Sequence, residues 1–76
     1  MDQTLARVFQ SIFAMPPAEF NDSRSMENVK AWDSITHMTL ILALEESFEV
    51  EFSPEEITRA TNVGKIKELL AAHGAG

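Results

Sequence analysis

Residues 32–48 read WDSITHMTLILALEESF. From about Ser34 to Phe48 the stretch reads as one helix, with apolar residues on two sides of it. Successive residues turn by about 100°. With Ile35 at zero, Met38 falls at about 300° and Leu42 at about 340°, making one stripe. Leu40, Ile41, Leu44 and Phe48 fall between about 140° and 240°, on the opposite side, and His37 at about 200° projects with them. One side can face the other helices of a bundle. The other has nothing obvious to pack against in so small a chain. Glu45 and Glu46 flank that stripe, and an apolar strip rimmed by acids has the make-up of a protein-docking surface. A helix that is apolar nearly all round is also what a buried central helix looks like. Periodicity leaves the two readings open.

Working outward, Leu5, Val8, Phe9, Ile12 and Phe13 recur at the spacing of one apolar helix stripe. Asp2 can cap its start, and Pro16-Pro17 stops it, because proline disfavours the helical region for the residue before it. Residues 16–33 form a long connection, uncommon inside a small domain. Phe20, Met26, Val29 and Trp32 are spaced along it as tethers, with room for a turn of helix near Pro17-Ala18-Glu19-Phe20. A short third helix is announced by Ser53-Pro54-Glu55-Glu56: N-cap serine, proline at the first helical position and glutamate at the third. The fourth begins after Thr61-Asn62 and carries Val63, Ile66, Leu69 and Leu70 on one face, with 71–76 expected as a fraying end. Phe48-Glu49-Val50-Glu51-Phe52 alternates, but too briefly between helix signals to claim a strand. The expectation is a small all-α four-helix bundle of three main helices and one short one, with a long loop between the first two and Phe9 and Leu44 in its core.

Seventy-six residues make one domain at most, spanning 1–76, too small for a deep cleft between lobes. There is no cysteine, which excludes disulfides, thiolate metal sites and a cysteine nucleophile. Any thiol chemistry must arrive on something attached. His37 and His73 fall on different helices without an HExxH pair, so no metal is expected. No apolar run is long enough to span a membrane, and no secretory signal is visible at the start, so the expected address is cytoplasmic. The net charge is −6, and residues 34–56, with six acids and no base, account for all of the imbalance. Phosphate repels such a surface, so nucleic acid is a poor partner and a basic protein surface a better one.

Trp32-Asp33-Ser34-Ile35, followed by an apolar helix ending Ala43-Leu44-Glu45-Glu46-Ser47-Phe48, resembles an acyl carrier protein. The family motif is Asp-Ser-Leu, with the serine at the start of the second helix; Ile35 stands where the leucine would. The likeness covers nearly the whole chain: first helix, long loop, Asp-Ser motif, helix end, capped short helix and last helix. The tryptophan before Asp-Ser is more like free-standing carriers of biosynthetic clusters, and some peptidyl carriers, than the housekeeping fatty-acid carrier. The resemblance implies that a 4′-phosphopantetheine arm, taken from coenzyme A by a separate phosphopantetheinyl transferase, is joined covalently to Ser34 through a phosphodiester. The thiol of the arm would carry acyl groups as thioesters. Asp33 would help the transferase to place its metal and the attacking hydroxyl. A helix N-terminus suits a phosphate, although an N-cap is the commonest role for Ser or Asp at such a place.

By the same resemblance Ile35, Met38, Leu42, Glu45 and Glu46 would form a recognition surface for an acyl- or aminoacyl-loading enzyme and downstream transferases, with fast, weak, salt-sensitive docking. The protein would be a monomer and no enzyme. His37, one turn after Ser34, invites a Ser–His nucleophile pair, but no orienting group or pocket is evident, and a packed histidine is the simpler reading. Thr36, His37 and Thr39 stand where the family often has acids, and Ala31 where it has glycine, which implies a dedicated partner set. The alternatives are an aminoacyl or peptidyl carrier, including a D-alanyl one, and an unmodified carrier-like adaptor.

Overall fold

The computed structural model describes residues 2–75, apart from the side chain of Asp2, so the expected Asp2 cap lies outside the described residues. Four helices follow in order: α1 Asp2–Phe13, α2 Ser34–Phe48, α3 Pro54–Arg59 and α4 Val63–Ala72, with a 3₁₀ turn at Pro17–Glu19 in the long loop. The all-α bundle is as expected, down to the bounds of α2. The first helix ends sooner than the prolines require. Ala14 turns into the left-handed region at φ 54°, so the chain leaves the helical path before Pro16.

Each later helix starts on a residue that satisfies its unpaired N–H groups. Asp33 caps α2 and Ser53 caps α3, the latter in a reciprocal box with Glu56. Asn62 caps α4, accepting from the Lys65 N–H at 2.7 Å. The alternating stretch 48–52 forms no strand: Phe48 closes α2, Glu49 turns, and 50–52 are irregular. Glu49 ends α2 in the left-handed conformation, φ 54° and ψ 48°, and the Val50 N–H returns to the Glu45 carbonyl at 3.1 Å. Of the expected fraying end, 71–76, Gly76 lies outside the described residues, and the rest carries hydrogen bonds. Ala71 and Ala72 continue α4, the Ala75 N–H closes on the Leu70 carbonyl at 2.9 Å through Gly74 at φ 75°, and His73 Nε2 lies 2.9 Å from Glu56 Oε2. A backbone turn and a side-chain contact thus hold a segment whose composition suggested neither.

Leu5 and Phe9 of α1, Leu40, Ile41 and Leu44 of α2, and Val63, Ile66 and Leu70 of α4 form the core, each nearly or fully closed to solvent. The long loop is tethered at both of its ends. Phe9 meets Phe13, Phe20 and Trp32 with ring centroids 5.2–5.4 Å apart, which holds the loop over α1. Met26 donates its N–H to the Thr61 carbonyl at 3.0 Å, Val63 donates to Arg24 at 2.9 Å, and Lys67 pairs with Asp22 at 2.7 Å, which fastens the loop to the start of α4. The isolated bridge between Ser25 and Asn62 belongs to that seam. Among the described residues no helix is long and apolar enough to cross a membrane.

Candidate functional site

The loop becomes α2 within three residues, and each does something different. Trp32 is 1% exposed and donates its backbone N–H to the Val29 carbonyl at 3.0 Å, so the last loop residue is anchored in the core. Asp33 and Ser34, next along the chain, are on the surface. Fixing the chain at Trp32 therefore fixes where the following two side chains emerge.

Asp33 is the N-cap. Its Oδ1 accepts from the Ile35 N–H at 3.1 Å, the Thr36 N–H at 2.9 Å and the Thr36 hydroxyl at 2.6 Å. The Thr36 hydroxyl, then the Thr36 N–H, hold the carboxyl below its ordinary value, with a smaller part from Ile35 and desolvation working the other way. Asp33 thus takes two of the N–H groups at this helix start, those of Ile35 and Thr36, and places a carboxylate there. What the site offers an incoming group is the Ser34 side chain. Ser34 is the first residue of α2, exposed, and not used as the cap.

His37 is buried at 8% exposure and packed, as its angular position predicts. The Trp32 indole N–H donates to His37 Nδ1 at 3.0 Å, and His37 Nε2 lies 2.8 Å from the Ile57 carbonyl. An indole nitrogen can only donate, so Nδ1 accepts and the ring proton sits on Nε2, donating to Ile57. Both ring nitrogens are engaged, and neither is left to take a proton from Ser34. The hydroxyl thus has no internal base in His37, and His37 instead joins the loop, α2 and α3.

The two-sided character of α2 resolves as one buried side and one exposed side. His37, Leu40, Ile41 and Leu44 are buried. Ile35 is 82% exposed, Met38 47% and Leu42 62%, and these three are the exposed large apolar side chains among the described residues. They start at the residue after Ser34 and run along the helix. Glu46 is exposed beside them, whereas Glu45 is half-buried and its Oε2 accepts from the Phe52 N–H at 2.8 Å. Glu45 therefore braces the connection from α2 to α3 as well as bordering the stripe.

Sequence reasoning missed three contacts here: Thr36 on Asp33, Trp32 on His37 and Glu45 on Phe52. The first had a signal, since a hydroxyl three residues after an N-cap sits where a capping box places its return partner. The other two depend on how the loop and α3 come back against α2, which local spacing does not encode.

The arrangement offers an exposed primary hydroxyl at a helix start, beside a fixed carboxylate and a solvent-facing apolar stripe, with no base of its own in reach through His37. That suits a residue acted on by another protein. A family model described as "Phosphopantetheine attachment site" matches residues 3–70 of the 76.

Proposed function

The chain belongs to the phosphopantetheine-attachment family, whose members are carriers that bear 4′-phosphopantetheine covalently, and on that premise we propose that Ser34 holds the arm and that the protein carries acyl groups for a biosynthetic pathway. The observation that supports this most is the Ser34 hydroxyl itself: exposed, released from capping by Asp33, and followed by the exposed stripe. The residues fit the group, because Ser34 is exposed and Trp32, two residues before it, is fixed in the core. Once bound, the arm supplies a terminal thiol on which acyl groups ride as thioesters.

In the attachment reaction a bond forms between Ser34 Oγ and phosphorus while a P–O bond of the coenzyme A diphosphate breaks. The hydroxyl proton passes to a base on the transferase, and adenosine 3′,5′-bisphosphate leaves. His37 takes no part, since its nitrogens are occupied by Trp32 and Ile57. With no cysteine in the chain, the arm's thiol has no intramolecular partner for exchange. In this reading the carrier works as a monomer in the cytoplasm, its transferase and loading enzyme docking on Ile35, Met38, Leu42, Glu45 and Glu46.

Incubation with coenzyme A and a phosphopantetheinyl transferase of broad range is expected to add the mass of one arm to the intact protein. No gain with a transferase that modifies a control carrier would overturn the proposal and favour the unmodified adaptor. Protein isolated from its host then reports the cargo, an aminoacyl mass marking the aminoacyl-carrier reading.

The stripe has its own test. Met38→Ala is expected to change unfolding free energy by less than about 1 kcal/mol, because the side chain is 47% exposed. Transfer of cargo to a partner enzyme is expected to fall several-fold, with most of the loss in the KM for the carrier. Urea unfolding and transfer kinetics on the loaded protein check the two halves. A Met38→Ala chain that unfolds would contradict the exposed stripe.

A further inference from the structure

Among the described residues His37 is the one buried side chain that can change its charge. Its ring ties three elements together. The Trp32 indole N–H, at the end of the long loop, donates to Nδ1 at 3.0 Å, and Nε2 lies 2.8 Å from the Ile57 carbonyl of α3. An indole nitrogen has no lone pair to offer and a carbonyl has no proton, so the two bonds admit one form of the ring, neutral with its proton on Nε2. We propose that His37 is an acid-sensitive latch: a second proton on the ring, at Nδ1, ends the bond to Trp32 and loosens the loop end from which Asp33 and Ser34 emerge. The consequence for the arm rests on the reading of Ser34 as the attachment residue.

The second proton and the indole bond exclude each other, because a protonated Nδ1 would set one N–H against another at 3.0 Å. The two rings offer no compensation. They meet edge to edge, with centroids 6.2 Å apart and planes 24° from parallel, so an imidazolium here does not lie over the indole face, where a cation is attracted. The charged groups on the elements that hold the ring are turned elsewhere. On the loop, Lys30 is exposed and Asp33 Oδ1 is taken by Ile35 and Thr36. On α2, Glu45 Oε2 accepts from the Phe52 N–H. On α3, Glu56 accepts from the Ser53 N–H and meets His73, and Glu55 and Arg59 are exposed. The latch is therefore closed at neutral pH and opens as the pH falls. Phe9 and Phe13 still hold the indole, with ring centroids at 5.3 and 5.6 Å, so opening loosens the loop end and leaves the bundle folded.

Trp32 is the one tryptophan of the chain, so its fluorescence reads the latch directly. Between about pH 7.5 and about pH 5, where imidazoles titrate, wild-type emission is expected to change in one step. His37→Gln supplies an acceptor and a donor but takes no proton, and its emission is expected to stay flat. His73→Gln removes the other imidazole and is expected to keep the step. Ring-nitrogen NMR of the wild type at neutral pH is expected to find the proton on Nε2. With one transferase and coenzyme A, wild type and His37→Gln are expected to take the arm at rates within about twofold at about pH 7.5, and the wild type about fivefold more slowly at about pH 5.5, the size of one lost hydrogen bond. Flat wild-type emission, a step that survives in folded His37→Gln, a step lost in His73→Gln, or a neutral ring with its proton on Nδ1 would each overturn the latch. Equal rates at about pH 5.5 would overturn its effect on the arm. A wild type that takes no arm at any pH overturns the reading of Ser34, and the emission still decides the latch.

Discussion

Phe9→Ala is expected to lower the unfolding free energy by about 3–5 kcal/mol, read from urea unfolding. The ring is fully buried and touches Phe13, Phe20 and Trp32. Its removal costs the transfer of a large apolar group and leaves a cavity among rings that cannot easily collapse into it, because Phe20 and Trp32 belong to a loop fastened elsewhere. A domain of this size has about 4–11 kcal/mol to lose, so one ring accounts for a large share. The effect should reach the functional site as well. Trp32 precedes Asp33 directly and is held by the same cluster, so loosening it frees the approach to Ser34. The accompanying expectation is that a Phe9→Ala chain, where still folded, is a poorer substrate for the transferase. A loss below about 1 kcal/mol would mean that the aromatic cluster does not hold the loop.

The second large effect is all-or-none. Ser34→Ala is expected to abolish arm attachment completely while changing stability by no more than about 0.5 kcal/mol. The two outcomes separate because Ser34 is not the cap. Asp33 satisfies the Ile35 and Thr36 N–H groups, and alanine is a better helix residue than serine at the position that follows. Ser47→Ala and Ser53→Ala serve as controls. Ser47 is exposed on α2 and Ser53 caps α3, so the first is expected to be neutral and the second to cost about 1 kcal/mol. Both should take the arm as wild type does. Intact mass after incubation with coenzyme A and transferase reads all three.

The helices were legible because their ends are written in local chemistry. Asp33, Ser53-Pro54 and Asn62 each announce a helix start within one turn, and the structure uses all three as caps. The exposed stripe was not decidable from periodicity, because α2 is apolar on two sides and one sequence cannot tell a docking side from a side covered by its own chain. Burial decides it: Leu40, Ile41 and Leu44 saturate the interior, and Ile35, Met38 and Leu42 remain outside. The difference between Glu45 and Glu46 was invisible for another reason. They are neighbours of identical chemistry, and only the return of Phe52 against α2 sets them apart. His37 shows the same limit. Its angle placed it inward, but its bonds to Trp32 and Ile57 join residues 5 and 20 positions away across a loop and another helix.

Everything about function depends on which hydroxyl carries the arm, and peptide mapping of the modified wild-type protein asks that directly. Trypsin cuts after Lys30 and Arg59, releasing one peptide, 31–59, that contains Ser34, Ser47 and Ser53 together. Fragmentation of that peptide is predicted to place the whole added mass on Ser34. An arm found on Ser47, on Ser53 or outside 31–59 would contradict the account.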